Sequence, residues 1–171
     1  LYKRLVPIRA ACLDLVVTGL PQQATKFSLG ADYPWYYANH SASARLTDDP
    51  QRAALHVLKY LPVGVPSDAA LDECELEHYL DLVQPGWREH VVERRYLPHV
   101  TVSHAVVTAS GGGLSGRPGV AVAGRPGLYV AGDWVGPEGM LLNASLASAR
   151  EAAHVIIANK RMDKEGMTRG A

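Results

Sequence analysis

The sequence has no surplus of either charge: 17 lysines and arginines stand against 17 aspartates and glutamates, a formal net charge of zero over 171 residues. It has no basic stripe to hold a phosphate backbone, which argues against nucleic acid as a partner, and no acidic tail that would suggest a solvated arm. No uninterrupted apolar run reaches the ~18 residues of a membrane-spanning helix. Cysteine is scarce. Cys12 and Cys74 are isolated, without metal-ligand or redox spacing, and read as buried thiols of a reducing cytoplasm. Nucleophile elbow, zinc signature and P-loop are all missing. What is present is 47% hydrophobic residues at a mean hydropathy of -0.05, the composition of a globular chain long enough to bury a core.

Taken in order, Ala11 to Thr18 predicts a strand stopped by Gly19 and Pro21, and Leu20 to Gly30 predicts a loop. Pro34 to His40 predicts a second strand, dense in aromatics. Trp35, Tyr36 and Tyr37 suit ordinary sheet core, with an apolar ligand pocket as the rival. Asp48-Asp49-Pro50 marks a turn, and Leu55 to Leu61 predicts a returning strand, with a helix as the alternative. Ser67 to Val83 predicts a helix capped by Ser67, with Asp68 and Asp72 in its first turn and Pro85 closing it. Leu71, Leu76, Tyr79, Leu80 and Val83 are assigned to its inner face. Glu73, Glu75, Glu77 and His78 read as a solvated acidic face, because no second histidine falls at a ligand spacing. Val91 to Tyr96 and Val100 to Val107 predict two further strands. His99 and His104 are assigned hydrogen-bonded or exposed roles, not ligation.

The triple glycine of Gly111-Gly112-Gly113-Leu114-Ser115-Gly116 matches G-x-G-x-x-G, and Asp133 stands at about the interval of a ribose-binding acid. That mechanism needs a helix opening inside the loop. Pro118 and Pro126, with Gly119, Gly124 and Gly127, argue instead for an irregular loop across 111–127.

The chain is organised around the stretch from Gly127 to Ala153. Leu128 to Ala131 predicts a short apolar strand, Gly132 and Asp133 end it, and Trp134 to Gly139 turns through two glycines and a proline. From about Met140 to Asn159 the pattern is helical, with Leu142, Leu146, Ala149, Ala153 and Ile156 on one face, and Lys160 and Arg161 complementing its C-terminal dipole. An acid at a strand end, feeding a helix N-terminus through a glycine turn, suits a ligand that takes hydrogen bonds from backbone N–H groups. By itself, Asp133 fits a turn cap equally well.

The block Gly-Leu-Tyr-Val-Ala-Gly-Asp (127–133), then Gly-Pro-Glu-Gly (136–139), then Ala144-Ser145 in an Ala-rich helix, resembles the C-terminal FAD-contacting motif of the phytoene desaturase and flavin amine oxidase superfamily. Asp32 to Tyr37, His56 to Leu61 and Pro85-Gly86-Trp87 look like the substrate-side sheet of bacterial members. Trp134 to Pro137 departs from the His-Pro-Gly-type turn of carotenoid desaturases, and Leu146 stands where many members carry glycine. The resemblance implies an FAD-dependent oxidoreductase that moves hydride between a hydrophobic small-molecule substrate and the flavin. The rival is a non-catalytic binding module for an isoprenoid or lipid. It further implies a mixed α/β fold: a substrate-side sheet with a helix over 1–110, an irregular loop at 111–126, and a strand-turn-helix at 127–160 completing a Rossmann-like FAD domain. A frayed tail is expected at 161–171.

By the same resemblance Gly132, Asp133, Gly139, Met140 and Leu141 contact the cofactor, with Asp133 accepting from a ribityl hydroxyl. Catalytic residues are not assigned, and no metal is expected. The ADP-gripping half of the site is expected upstream of Leu1, which makes this a C-terminal fragment, colourless and inactive alone and prone to self-association. If the ribityl hydroxyl is Asp133's partner, removing the acid should leave cofactor-free stability unchanged.

Overall fold

A computed structural model of the chain describes the backbone of residues 5–169 and the side chains of residues 5–161. It is a mixed α/β structure: a five-stranded antiparallel sheet and, among the described residues, two α-helices. The chain divides into two compact units. One is Ile8–Val102, and the other joins the segment ending at Pro7 to the chain from Ser103 onward. Residues 104–110 therefore lie outside the sheet and go with the C-terminal unit.

The first unit is built on β1 (Ile8–Thr18), β2 (Phe27–Leu29), β3 (Trp35–Asn39), β4 (Arg52–Leu61) and β5 (Val91–Ser103), in spatial order β2-β3-β4-β1-β5. β1 and β4 pair antiparallel from Arg9↔Leu61 to Thr18↔Arg52. Both lie inside the sheet, which is why β1 is apolar on both faces. Ala11, Leu13, Leu15 and Val17 enter one core, and Ala10 and Cys12 enter another on the opposite face. The first core is closed by α1 (Ala69–Val83), whose Leu76 and Leu80 are fully buried, each worth about 1.5–3 kcal/mol of apolar transfer.

Several expectations are corrected here. The cap of α1 is Asp68, not Ser67: its Oδ1 accepts from the N–H groups of Ala70 (2.9 Å) and Leu71 (3.2 Å). Leu71, assigned to the inner face, is exposed to solvent. The acidic face is not simply solvated. Glu73 and Glu77 both take Arg94, Glu77 also takes Arg88, and Asp72 and Glu75 share Lys59. Inside the expected loop at 20–30 lies β2, a three-residue edge strand. It turns into β3 at Gly30, where a Cβ would meet the Tyr33 carbonyl oxygen at 2.5 Å. The strands expected on either side of Pro98 are one, β5, which ends at Ser103. Proline is tolerated there because β5 is at the sheet edge. Leu55 to Leu61 is strand as expected, the later part of β4. Tyr37 is fully buried core; half-buried Trp35 packs against the same core between exposed Tyr33 (4.4 Å between ring centroids) and Tyr79 (5.0 Å), and half-buried Tyr36 packs on the opposite face. Cys12 is buried, but Cys74 is exposed.

In the second unit, Leu128 to Ala131 does not form a strand. It makes a single antiparallel bridge, Ala121↔Tyr129, flanked by Val130 N–H to Val120 C=O (2.8 Å) and Val122 N–H to Leu128 C=O (3.1 Å). Residues 111–127 are irregular apart from that bridge and one 3-10 turn, Gly113–Gly116. The last helix, α2 (Leu141–Arg169), runs past the expected stop near Asn159, so residues 161–169 are helical; residues 170–171 lie outside the described residues. Its buried face is Ala144, Ser148 and Ala152, with Val155 packed beside them; Leu142, Leu146, Ala149 and Ala153 are exposed. No described helix is long and apolar enough to cross a membrane.

Candidate functional site

The site expected at Gly132, Asp133, Gly139, Met140 and Leu141 is one continuous turn within the second unit, anchored from three sides. Gly132 is gripped by α2: its N–H donates to Ser148 Oγ (3.0 Å), and the Ser148 hydroxyl faces the carbonyls of Gly132 (3.2 Å) and Ser145 (3.1 Å). A side chain at Gly132 would meet Trp134 Nε1 at 2.8 Å. Trp134 and Val135 then drop into a core with Ala105, Val120 and Ala152. Gly139 takes φ +70°, and its carbonyl accepts from Arg117 Nη1 (2.9 Å).

Asp133 has partners of its own within this unit. Its Oδ2 accepts from Ser103 Oγ (2.8 Å) and His104 N–H (2.9 Å), and its Oδ1 faces His104 Nδ1 (2.9 Å). Burial opposes its charge, but those hydrogen bonds and the His104 ring outweigh it and hold the pKa below the ordinary aspartate value. One acceptor direction remains, on Oδ1. Asp133 does not cap its own turn: its carboxylate holds the Ser103–His104 segment, and the turn closes through Val135 N–H to the Gly132 carbonyl (3.1 Å).

Met140 and Leu141 stand exposed at the start of α2, followed by exposed Leu142 and Leu146. Leu141 is left-handed (φ 51°), a strained conformation for a branched side chain, costing of order 1–3 kcal/mol. The first turn contains no acidic residue. Asn143 and Ala144 donate back to the Met140 carbonyl, while among the described residues the N–H groups of Met140, Leu141 and Leu142 meet no acceptor. Ser145 Oγ bonds back to the Leu141 carbonyl (3.1 Å), as its place in the helix suggests.

The glycine loop is organised differently. Gly111 and Gly113 N–H groups donate to the Thr108 carbonyl (3.1 and 3.0 Å) and Gly112 to Ala109 (3.0 Å), so three amides that a pyrophosphate would need are already bonded. The 3-10 turn there is too short to present a helix dipole. A cavity of about 740 Å³ lies beside it, lined by Ala105, Val106, Thr108, Gly116, Arg117 and Pro118 among others.

Comparison with protein-family models, with curated proteins and with solved structures finds no match for this chain. The site rests on its residues. Sequence reasoning missed Ser148, Arg117, Ser103 and His104 as supports. Only Ser148 left a local signal, a polar residue one turn after Ser145 on an alanine-rich helix face.

Proposed function

We propose that this chain forms the C-terminal part of an FAD-dependent oxidoreductase resembling phytoene desaturases and flavin amine oxidases, cytoplasmic, which transfers hydride between a C–H bond of an apolar substrate and the flavin. The observation that carries this reading is the start of α2. There a strained Leu141, a glycine turn held by Arg117, and three unpaired amides in an apolar, acid-free first turn present a positive helix end toward open surface. A protein that needed only stability would place an acid or a capping side chain there.

The residues fit FAD at this end. FAD, when bound, supplies the hydride acceptor and donor. The amides of Met140, Leu141 and Leu142 suit the electronegative pyrimidine edge of the ring, and stabilise the negative charge that gathers there on reduction. Met140, Leu141 and Leu142 themselves are apolar enough to exclude water beside it. A side chain at Gly139 would be strained, since its φ is +70° and a Cβ would lie 3.0 Å from Asn143 Cβ. Asp133 fits the ribityl role through its one remaining acceptor direction, after Ser103 and His104 are served. In this reading the bridged segment at 128–131, the turn and α2 pack against an ADP-binding half that lies upstream, and the exposed α2 leucines account for self-association of the chain alone.

The test is Met140→Glu in the protein that carries this chain with its upstream half. A carboxylate in the first helical turn stabilises the helix, typically by about 0.3–1 kcal/mol, yet repels the electronegative flavin edge. Fluorescence-quenching titration should show FAD affinity weakened at least tenfold at an unchanged or higher Tm. Equal affinities, or no flavin absorbance in the parent protein, would sink the proposal.

A further inference from the structure

We propose that Cys12, Asp14 and His56 form a binding site for a single zinc ion, on the face of the sheet opposite α1. No linear motif joins these residues; the sheet register does. Cys12 and Asp14 are two apart on β1 and share a face, and Asp14 is the direct cross-strand partner of His56 on β4. Cys12 Sγ lies 3.2 Å from Asp14 Oδ1 and 3.4 Å from His56 Nδ1, and Asp14 Oδ1 is bonded to the same His56 nitrogen. Around tetrahedral zinc, with bonds of about 2.0–2.3 Å to nitrogen, oxygen and sulfur, ligand atoms stand roughly 3.4–3.6 Å apart. The two sulfur contacts are already near that spacing. Only the carboxylate–imidazole pair must part to admit the ion.

The surroundings permit entry. Asp14 and His56 line a surface groove of about 270 Å³ together with His40, Glu93 and Arg95. The His40 ring lies 5.3 Å from the His56 ring, so the fourth position faces a second imidazole or water. The opposite charges of Glu93 and Arg95 offset one another at the rim. A sulfur, nitrogen and oxygen donor set suits a borderline-soft ion and not calcium or magnesium.

The same geometry argues against a nucleophilic cysteine. A Cys-His-acid relay uses opposite nitrogens of the ring, but here Nδ1 meets both sulfur and carboxylate, with Nε2 at 3.8 Å from the sulfur. Burial, then the Asp14 carboxylate, also push the thiol pKa far up, against a smaller opposing pull from Arg95, so the free thiol holds its proton. Zinc displaces it: the S–H bond breaks, the Zn–S bond forms, and the proton goes to solvent. Thiolate and carboxylate then balance the dication, with imidazole neutral.

The test uses the untagged chain carrying Cys74→Ser, which leaves Cys12 as its only thiol. Cobalt(II) serves as the probe because its thiolate complexes absorb in the near ultraviolet and its tetrahedral sites absorb in the visible. One equivalent should produce both absorptions, excess zinc should bleach them, and zinc should raise Tm. Asp14→Asn and His56→Gln, each confirmed folded by circular dichroism, should weaken binding at least tenfold. Absence of the thiolate absorption in the folded Cys74→Ser protein overturns the proposal without any variant of Cys12. Equal cobalt affinity in a folded His56→Gln protein does so as well.

Discussion

At the scale of single residues, Asp133 shows how a sequence can point to the right place and miss the role. Its position at the end of an apolar stretch was legible, because an acid before a glycine turn is locally distinctive. Its partners were not, since Ser103 and His104 are thirty and twenty-nine residues away and nothing in their local pattern marks them. The expectation that cofactor-free stability is indifferent to Asp133 is thus corrected: its partners belong to the chain itself. Asp133→Ala should destabilise the cofactor-free protein by about 1.5–3 kcal/mol at neutral pH, the range for hydrogen bonds to a charged group. The pH dependence comes from the lowered pKa. A carboxyl whose folded pKa lies below its unfolded value, about 3.9, contributes fully above that value and loses its contribution as pH falls through the folded pKa. Urea denaturation of both proteins should therefore show a gap at pH 7 that closes below about pH 4. A gap independent of pH would mean that the lost contacts are not those of the carboxylate.

At the scale of elements, what read correctly was what obeys a strong period. β1, β3, β4 and α1 each bury a regular set of large apolar side chains. β2 did not read, because three residues at an edge need no apolar alternation. α2 read as a helix with the wrong face inward. Close packing selected Ala144, Ser148 and Ala152, which let the helix approach, over the leucines that periodicity favours. α1 also holds a buried pair that acidic spacing alone does not reveal: Lys59 of β4 reaches Asp72 (2.7 Å) and Glu75 (2.8 Å), while Asp72 Oδ2 has no partner among the described residues. Burial works against the Lys59 charge, but the bonds to Asp72 and Glu75 win and raise its pKa. That contribution is complete below the ordinary lysine pKa and is lost as pH rises through the higher folded value. Lys59→Met would leave Asp72 buried and unpaired, and should cost about 3–5 kcal/mol by denaturant titration. Lys59→Met with Asp72→Leu should recover most of it. Failure of the double substitution to recover stability would show that the pair matters through packing and not charge.

At the scale of the whole molecule, each unit has its own buried residues, and the second gathers exposed apolar side chains on one helix. Met140, Leu141, Leu142 and Leu146 are all exposed around the first turns of α2, and Ile157 further along it. Scattered exposed leucines need no explanation, but a contiguous group marks a contact surface. In the flavin reading the cofactor and the upstream half of its domain cover this group; without them, a second copy of the chain is the nearest apolar surface. Burying one leucine contributes about 1.5–3 kcal/mol, so Leu142 and Leu146 from each of two copies bring roughly 6–12 kcal/mol, to be set against the entropy cost of association. Sedimentation velocity on the chain alone should show a mass that rises with concentration. Leu142→Glu combined with Leu146→Lys should weaken that association at least tenfold. Tm should not fall, because both side chains are already in solvent and the new ones are good helix formers that pair at i, i+4. Association undiminished in the double variant would place the contact elsewhere, and would remove the exposed helix face as the reason for it.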